Sequence, residues 1–412
     1  MNPSVIPGRG WRLPRHELAL LAATVAVFVV TGWLDPNHTY FTNWAESSEI
    51  ILRNTALLGI IALGAAVVII AGGIDLSAGS MVAASATTCA LILMICSEPG
   101  DKRLVTVGPL GISAAIGGAM ASGLLVGTLH TWLITSIRLP PFIATLATLV
   151  GLRSFARAMC LFVTKERWGS ESQQINVNTP FFSWLKEHNV VITTGTFLVL
   201  AILTWLILSR TVLGRHLYAL GGNEQAARLS GVRTDNVKWF AYCFGSLTSA
   251  LAGIFLMADS SVAQPGTLAR GYELNAIAAA VVGGCSLQGG VGTVPGTVLG
   301  ALFLRLVIDA VSKLIKASAD VYEGMIVGII VALAVTLTQV GRFSRTGRTL
   351  FAGGRGLAAI PTIATFAGLL AMMSSGNVEA FQGRTGLVGT AVGMAVLAAL
   401  AVIRWLEGRR TP

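Results

Sequence analysis

A chain of 412 residues that is 54% hydrophobic and only 12% charged carries about half the charge of an ordinary soluble domain. A soluble body of that size would still need a polar surface, so the composition excludes one large water-soluble core and implies a protein that lives in lipid. The net charge of +10 invites a nucleic-acid reading. The basic residues, however, sit in short clusters between uncharged runs and leave no groove that could track phosphates; cytoplasmic loops of a membrane protein explain the excess more simply.

Crossing about 30 Å of hydrocarbon takes about 20 helical residues, and such runs recur along the chain. The first, residues 18–34, follows Arg9, Arg12 and Arg15; with no small-residue cleavage site after it, it reads as an uncleaved span rather than a secretory leader. Runs 54–74 and 76–97 are parted by a single acid, Asp75. Residues 104–137 are uncharged up to Arg138, and 139–163 are broken by Arg153 and Arg157, which lack a local acid and are expected to snorkel to the outer interface. Runs 188–209 and 239–258 follow. Residues 274–304 are uncharged and glycine-rich in their middle, continuing past Arg305 and Asp309 to about residue 311; runs 324–341, 356–378 and 385–403 complete the chain. These runs predict an all-α polytopic membrane protein of about ten to twelve helices.

Arginine and lysine collect in the N-terminus, in 210–238, in 342–355 and in the tail with Arg404, Arg409 and Arg410, whereas 35–49, 164–187 and 259–273 are acidic or balanced. With two passes counted in 274–311, one on either side of the glycines, every basic cluster falls on one face and both termini are expected in the cytoplasm. The organisation expected is a cytoplasmic N-terminus over 1–17, a transmembrane domain over 18–341, and an extension over 342–412 with two further spans. No connection is long enough to bury a soluble core.

Catalytic signatures are missing from the sequence: it has no GK dipeptide, HExxH, GxSxG or CxxC. The five cysteines, Cys89, Cys96, Cys160, Cys243 and Cys285, have neither zinc-ligand nor redox spacing, and the five histidines are scattered. The sequence therefore predicts no catalytic residue, no metal site and no cofactor.

Three stretches stand out. In 71–80, glycines flank Asp75 where two apolar runs meet: Gly72, Gly73 and Gly79 let the backbone turn, Asp75 is placed to cap the next helix, and Ser77 and Ser80 can satisfy freed backbone groups. The stretch reads either as a tight helix hairpin or as irregular backbone along a translocation path. In 283–296, Gly283, Gly284, Gly289, Gly290, Gly292, Gly296 and Pro295 interrupt a second run. A glycine-interrupted span in each half of a chain points to repeated transporter halves around a midplane path; close packing through small residues is a compatible reading. In 213–232, Asn223 is placed to cap a short helix from Glu224 to Leu229, ended by Gly231. This is either a solvated loop or a docking element for a cytoplasmic partner, with Ala226, Ala227 and Arg228 on the helix. Arg305 and Asp309, four apart, are expected to pair within the membrane.

Together these stretches resemble the permease family of bacterial ABC sugar importers, and within it the ribose-type permeases. The matching segments, in order, are Gly72-Gly73-Ile74-Asp75-Leu76-Ser77 with Gly79-Ser80, Leu139-Pro140-Pro141-Phe142-Ile143-Ala144-Thr145-Leu146, and Leu220-Gly221-Gly222-Asn223-Glu224-Gln225-Ala226-Ala227-Arg228-Leu229-Ser230-Gly231. They continue with Ala263-Gln264-Pro265, Gly271-Tyr272-Glu273-Leu274-Asn275-Ala276-Ile277-Ala278-Ala279, and Val282-Gly283-Gly284 with Gly289-Gly290 and Gly292. They cover roughly residues 50–340. The resemblance implies about ten spans in the bacterial inner membrane, a pair of permease copies, cytoplasmic ATP-binding subunits and a periplasmic sugar-binding protein. It implies that 223–231 is the coupling loop gripped by the ATPase, counterpart of the so-called EAA loop. Residues after about Arg342 exceed the family pattern. The competing readings are an ion-coupled secondary transporter, for which only Asp75 and Asp309 lie near membrane depth, and a related importer of nucleosides or of a furanone signal.

Overall fold

A computed structural model of the chain describes residues 15–98, 100–314, 353–375 and 383–408, with 324–325, 327–329 and 332. Most of the expected span 324–341 and of the basic stretch 342–355, together with Arg9, Arg12, Arg409 and Arg410, lies outside the described residues. The described chain is helical almost throughout: α1 (Arg15–Leu34), α2 (Thr39–Thr42), α3 (Trp44–Ile70), α4 (Ala78–Cys96), α5 (Pro109–Thr135), α6 (Pro141–Trp168), α7 (Pro180–Glu187), α8 (Asn189–Arg210), α9 (Val212–Gly222), α10 (Glu224–Leu229), α11 (Thr234–Ser260), α12 (Tyr272–Val282), α13 (Val294–Leu314), α14 (Gly353–Ser375) and α15 (Thr385–Gly408). Among the described residues, nine helices are long and apolar enough to span a membrane: α1, α3, α4, α5, α6, α8, α11, α13 and α15. The all-α polytopic architecture expected from the sequence is therefore found.

The described residues fall into two compact units, 15–29 with 39–306, and 30–38 with those beyond 306. At the centre of the first, α3, α4 and α11 bury most of their length against one another and against α5. Helices in lipid gain nothing from hiding leucine from water, so they associate where small residues let backbones approach. On α5 the buried positions Gly111, Ala115, Ala119, Gly123, Gly127 and Thr131 recur every four residues, which places a smooth stripe along one face. A Cβ at Gly127 would stand 2.5 Å from the Cys243 Cα, and one at Gly123 would stand 2.9 Å from the Ala250 Cβ. Between α4 and α11, Ser85 Oγ donates to the Ala250 carbonyl at 3.1 Å. At one end of these helices Asp259 accepts from Asn189 Nδ2 (2.9 Å) and pairs with Arg53 (3.2 Å). There β1 (Ile175–Asn176) and β2 (Val262–Ala263) form a two-residue antiparallel pair.

The chain between α11 and α13 does not make two equal passes about the glycines. At 11 residues, α12 is about 16 Å long, half of a crossing. The irregular segment 261–271 leads into it. Unpaired backbone is tolerated at membrane depth only when protein satisfies it, and Arg153 does so here: its Nη1 donates to the carbonyls of Pro265 and Leu268 at 3.0 Å each. A guanidinium is well satisfied by carbonyls that have no other donor.

In the second unit, α14 and α15 pack on one another through glycine: a Cβ at Gly368 would stand 2.8 Å from the Gly389 carbonyl oxygen and 3.3 Å from the Gly393 Cα.

The stripe on α5 gives a controlled test of this packing. Gly127→Leu should cost about 3 kcal/mol by overpacking and broaden or abolish the monodisperse peak of the detergent-purified protein in size-exclusion chromatography. Gly117→Leu on the same helix, where a Cβ meets open space, should leave that peak unchanged.

Candidate functional site

The end of α3 is written in Ala71-Gly72-Gly73. Gly72 takes φ +84°, a left-handed conformation that a side chain would strain. Its N–H bonds the Ile69 carbonyl and that of Gly73 bonds Val68, both at 2.9 Å. This is a Schellman ending. The end of α12 repeats it: Gly284 takes φ +97°, and the N–H groups of Gly284 and Cys285 bond Val281 and Ala280, again at 2.9 Å. Two helices far apart in sequence thus stop by the same device.

The two endings meet a third glycine segment. The Gly290 N–H donates to the Ile70 carbonyl at 2.9 Å, covering a backbone group that the end of α3 leaves open. A Cβ at Gly289 would stand 2.6 Å from the Gly221 carbonyl oxygen and 2.8 Å from the Gly72 Cα. A Cβ at Gly221 would collide with the Ile70 carbonyl oxygen and stand 2.5 Å from the Gly290 nitrogen. Gly72 at the end of α3, Gly221 at the end of α9, and Gly289 with Gly290 after α12 therefore lie backbone against backbone. Tyr218, one turn before Gly221 on α9, adds a hydrogen bond from its hydroxyl to the Gly292 carbonyl (2.9 Å). The start of α1 reaches the same region: His16 Nε2 lies 3.0 Å from the Val282 carbonyl, and Thr293 Oγ1 donates to Glu17 at 2.7 Å.

Immediately beyond the first break lies a buried polar cluster. Asp75 is 5% exposed and accepts from Ser77 N (2.8 Å) and Ser77 Oγ (2.6 Å). Ser77, not Asp75, occupies the N-cap position of α4; the Asp75 carboxylate is engaged in a local turn two residues ahead, which corrects the expected capping role. Ser80 Oγ donates back to the Ser77 carbonyl at 2.8 Å. His130 of α5, fully buried, places Nε2 2.7 Å from Thr148 Oγ1 and 3.5 Å from Ser77 Oγ. Tyr242 of α11 packs edge-on to its ring, centroids 6.0 Å apart. Thr145 of α6 donates to the Ile74 carbonyl at 3.2 Å. The sequence reading passed over His130 and Tyr242. An ionisable histidine inside an uncharged run was the available signal.

On the loop side, the Asn223 side chain accepts from the Ala226 N–H at 3.0 Å, and α10 closes with Gly231 N bonded to the Arg228 carbonyl. Glu224 holds α10 to α11 through Lys238 Nζ at 2.6 Å and meets Arg228 at 3.4 Å. Ala227 faces inward, while Ala226 is exposed and Leu229 is 90% exposed. Gly79 lies under the Glu273 carboxyl group, with no room for a Cβ, and Gly283 abuts the Gly296 backbone. Arg305 stacks over the Tyr272 ring, 4.9 Å from its centroid, one turn before Asp309 on α13. Among the described residues no three His, Cys, Asp or Glu side chains are placed to hold a metal.

A bundle of long apolar helices with two matched helix breaks, joined by glycine to the helix pair α9 and α10, is the fold of a polytopic membrane protein. Residues 48–335 match the family model described as branched-chain amino acid transport system / permease component, and the chain belongs to that family. Within it the chain is of the ribose-type ABC permease kind. It is 31% identical to the ribose import permease protein RbsC of Escherichia coli (strain K12) over 343 residues, 81% of this chain and 98% of that protein. It is 34% identical to RbsC of Bacillus subtilis (strain 168) over 291 residues, 70% of this chain and 83% of that protein. The autoinducer 2 import system permease protein LsrC of Yersinia pestis (strain Pestoides F) is 33% identical over 322 residues, 77% of this chain and 84% of that protein. No solved structure matches. The family and the nine apolar helices make this a multi-pass inner-membrane protein.

The glycine junction predicts a sharp difference between neighbours. Gly221→Ala, whose methyl would enter the Ile70 carbonyl, should cost about 2 kcal/mol and lower the melting temperature in detergent. Gly222→Ala, with open space at its Cβ, should melt like the parent.

Proposed function

We propose that this chain is the membrane-spanning subunit of an ATP-binding-cassette importer that passes a monosaccharide, ribose or a similar sugar, delivered by a periplasmic binding protein. Two permease copies enclose the path. ATP is bound and hydrolysed by separate cytoplasmic subunits that grip α9 and α10. The carrying observation is the junction of Gly72, Gly221 and Gly289: a displacement of the loop-side helices reaches both helix breaks directly, with no side chain between to absorb it. Rigid elements in backbone contact transmit motion better than flexible side chains do. On this reading the segments 71–80 and 283–290 line or border the path, Arg305 and Asp309 are a structural pair, both termini are cytoplasmic, and 342–412 adds two spans outside the family core.

Similarity to the autoinducer 2 permease favours a second reading of the cargo, in which the sugar-like signal replaces the sugar. Competition between labelled ribose and that signal in whole cells separates the two.

Leu229 is the natural anchor for the ATPase, because a large apolar side chain 90% exposed at the tip of α10 gains most by entering a groove. A photo-crosslinker at Ala226 should capture the ATPase. Leu229→Ser should weaken co-purification about tenfold, a loss of about 1.4 kcal/mol, with membrane insertion unchanged. Equal co-purification, or uphill uptake that persists without the ATPase and collapses with an uncoupler, would overturn the assignment.

A further inference from the structure

Helices α5 and α11 run antiparallel in close contact: Gly123 lies against Ala250, Gly127 against Cys243, and Trp239 Nε1 donates to Thr128 Oγ1 at 3.2 Å. Along the outside of this seam Leu125 and Trp132 of α5 and Trp239 of α11 are exposed. Residues 125, 128, 132 and 135 follow at helical spacing, so the seam presents a mostly apolar strip to the bilayer. Its two tryptophans stand toward one end, as side chains that favour the membrane–water boundary do.

One turn beyond Trp132 the strip opens into a cavity of about 330 Å³, lined by Thr135, Arg138, Glu224, Arg228, Asp235 and Lys238. Three cations meet two carboxylates there. Glu224 is shared between Lys238 at 2.6 Å and Arg228 at 3.4 Å, and Arg228 also reaches Asp235 at 3.8 Å. Arg138 joins none of the ion pairs among the described residues, so the surplus charge sits on it.

The backbone at Arg138 is a second observation. Past the end of α5, Ile137 N bonds the Trp132 carbonyl at 3.2 Å and Leu139 N bonds that of Leu133 at 3.0 Å. Arg138, between them, takes φ +64°, a conformation that glycine adopts with least strain. Strain of this kind persists where a side chain serves a site, and this side chain has no carboxylate to serve. A phosphodiester suits it, because a guanidinium binds phosphate through two parallel hydrogen bonds. Basic pockets between spans at the bilayer edge hold lipid head groups. A soluble anion would make no use of the apolar strip.

We propose that this cavity seats the head group of an anionic phospholipid, with its phosphodiester on Arg138 and its chains along the α5–α11 seam. The lipid ties the ends of α5 and α11 to α10, whatever cargo the protein carries.

The test uses the full-length protein purified in detergent, with phosphatidylglycerol, phosphatidylcholine and glycerol phosphate as probes and melting temperature as the readout of binding. Phosphatidylglycerol should stabilise the parent at concentrations where phosphatidylcholine does not. Arg138→Gln should weaken phosphatidylglycerol binding about fivefold. Arg210→Gln, which removes an exposed cation at the end of α8 outside the cavity, should leave it unchanged. Arg138→Gly suits the backbone, so it should melt no lower than the parent without lipid and yet lose the same binding; it decides alone if the glutamine variant folds poorly. Equal stabilisation by phosphatidylcholine, or an equal loss in Arg210→Gln, overturns the proposal. So does full competition by glycerol phosphate, the mark of a soluble-anion site. Loss of ATPase co-purification in Arg138→Gln with lipid binding intact also overturns it and gives the cavity to the ATPase.

Discussion

The structure depends on a contact in which no side chain takes part. Gly72, Gly221 and Gly289 bring the end of α3, the end of α9 and the segment after α12 within backbone distance, and the Gly290 N–H bonds the Ile70 carbonyl. A methyl group at Gly221 or Gly289 would hold these elements apart. The junction also answers a demand of the solvent: in lipid every helix end must find partners for its open carbonyls. The two Schellman endings satisfy some of these carbonyls locally and the junction satisfies another from a distant segment. One arrangement thus closes the hydrogen-bond account of two broken helices and ties them to the loop-side pair α9 and α10.

The remaining irregular backbone is supported by polar side chains. The turn at 74–77 is held by Asp75, Ser77 and Thr145, with His130 and Tyr242 packed around it. The segment 261–271 is held by the β1–β2 pair at one end and by Arg153 on the carbonyls of Pro265 and Leu268. Helix α6 contributes to both, through Thr145 to the turn at 74–77 and through Arg153 to the segment before α12.

What could be read from the residues alone follows a physical division. Long uncharged runs report the spans directly, because hydrophobic thickness is a local property of sequence. The cap at Asn223 and the glycine turns at Gly72 and Gly284 are likewise local: the chemistry that forms them lies within four residues. Contacts between distant segments leave no such trace. That Gly221 meets Ile70, or that Gly79 lies under Glu273, depends on how helices cross, and paired glycines show only that something must come close. Asp75 does not cap α4, because the open backbone N–H that it meets is that of Ser77 in the turn ahead of the helix.

The same reasoning separates α12 from the other apolar helices. Residues 274–282 are as apolar as any span, yet the helix is half the length of a crossing, and the chain leading into it runs in turns rather than in a helix. A continuous helix there would satisfy its own backbone more simply. Retaining a break that needs a half-buried arginine, a strand pair and three converging glycine segments to support it is costly in a bilayer. It is intelligible where those elements must move against one another, and a helix intact along its length would offer no seam to open.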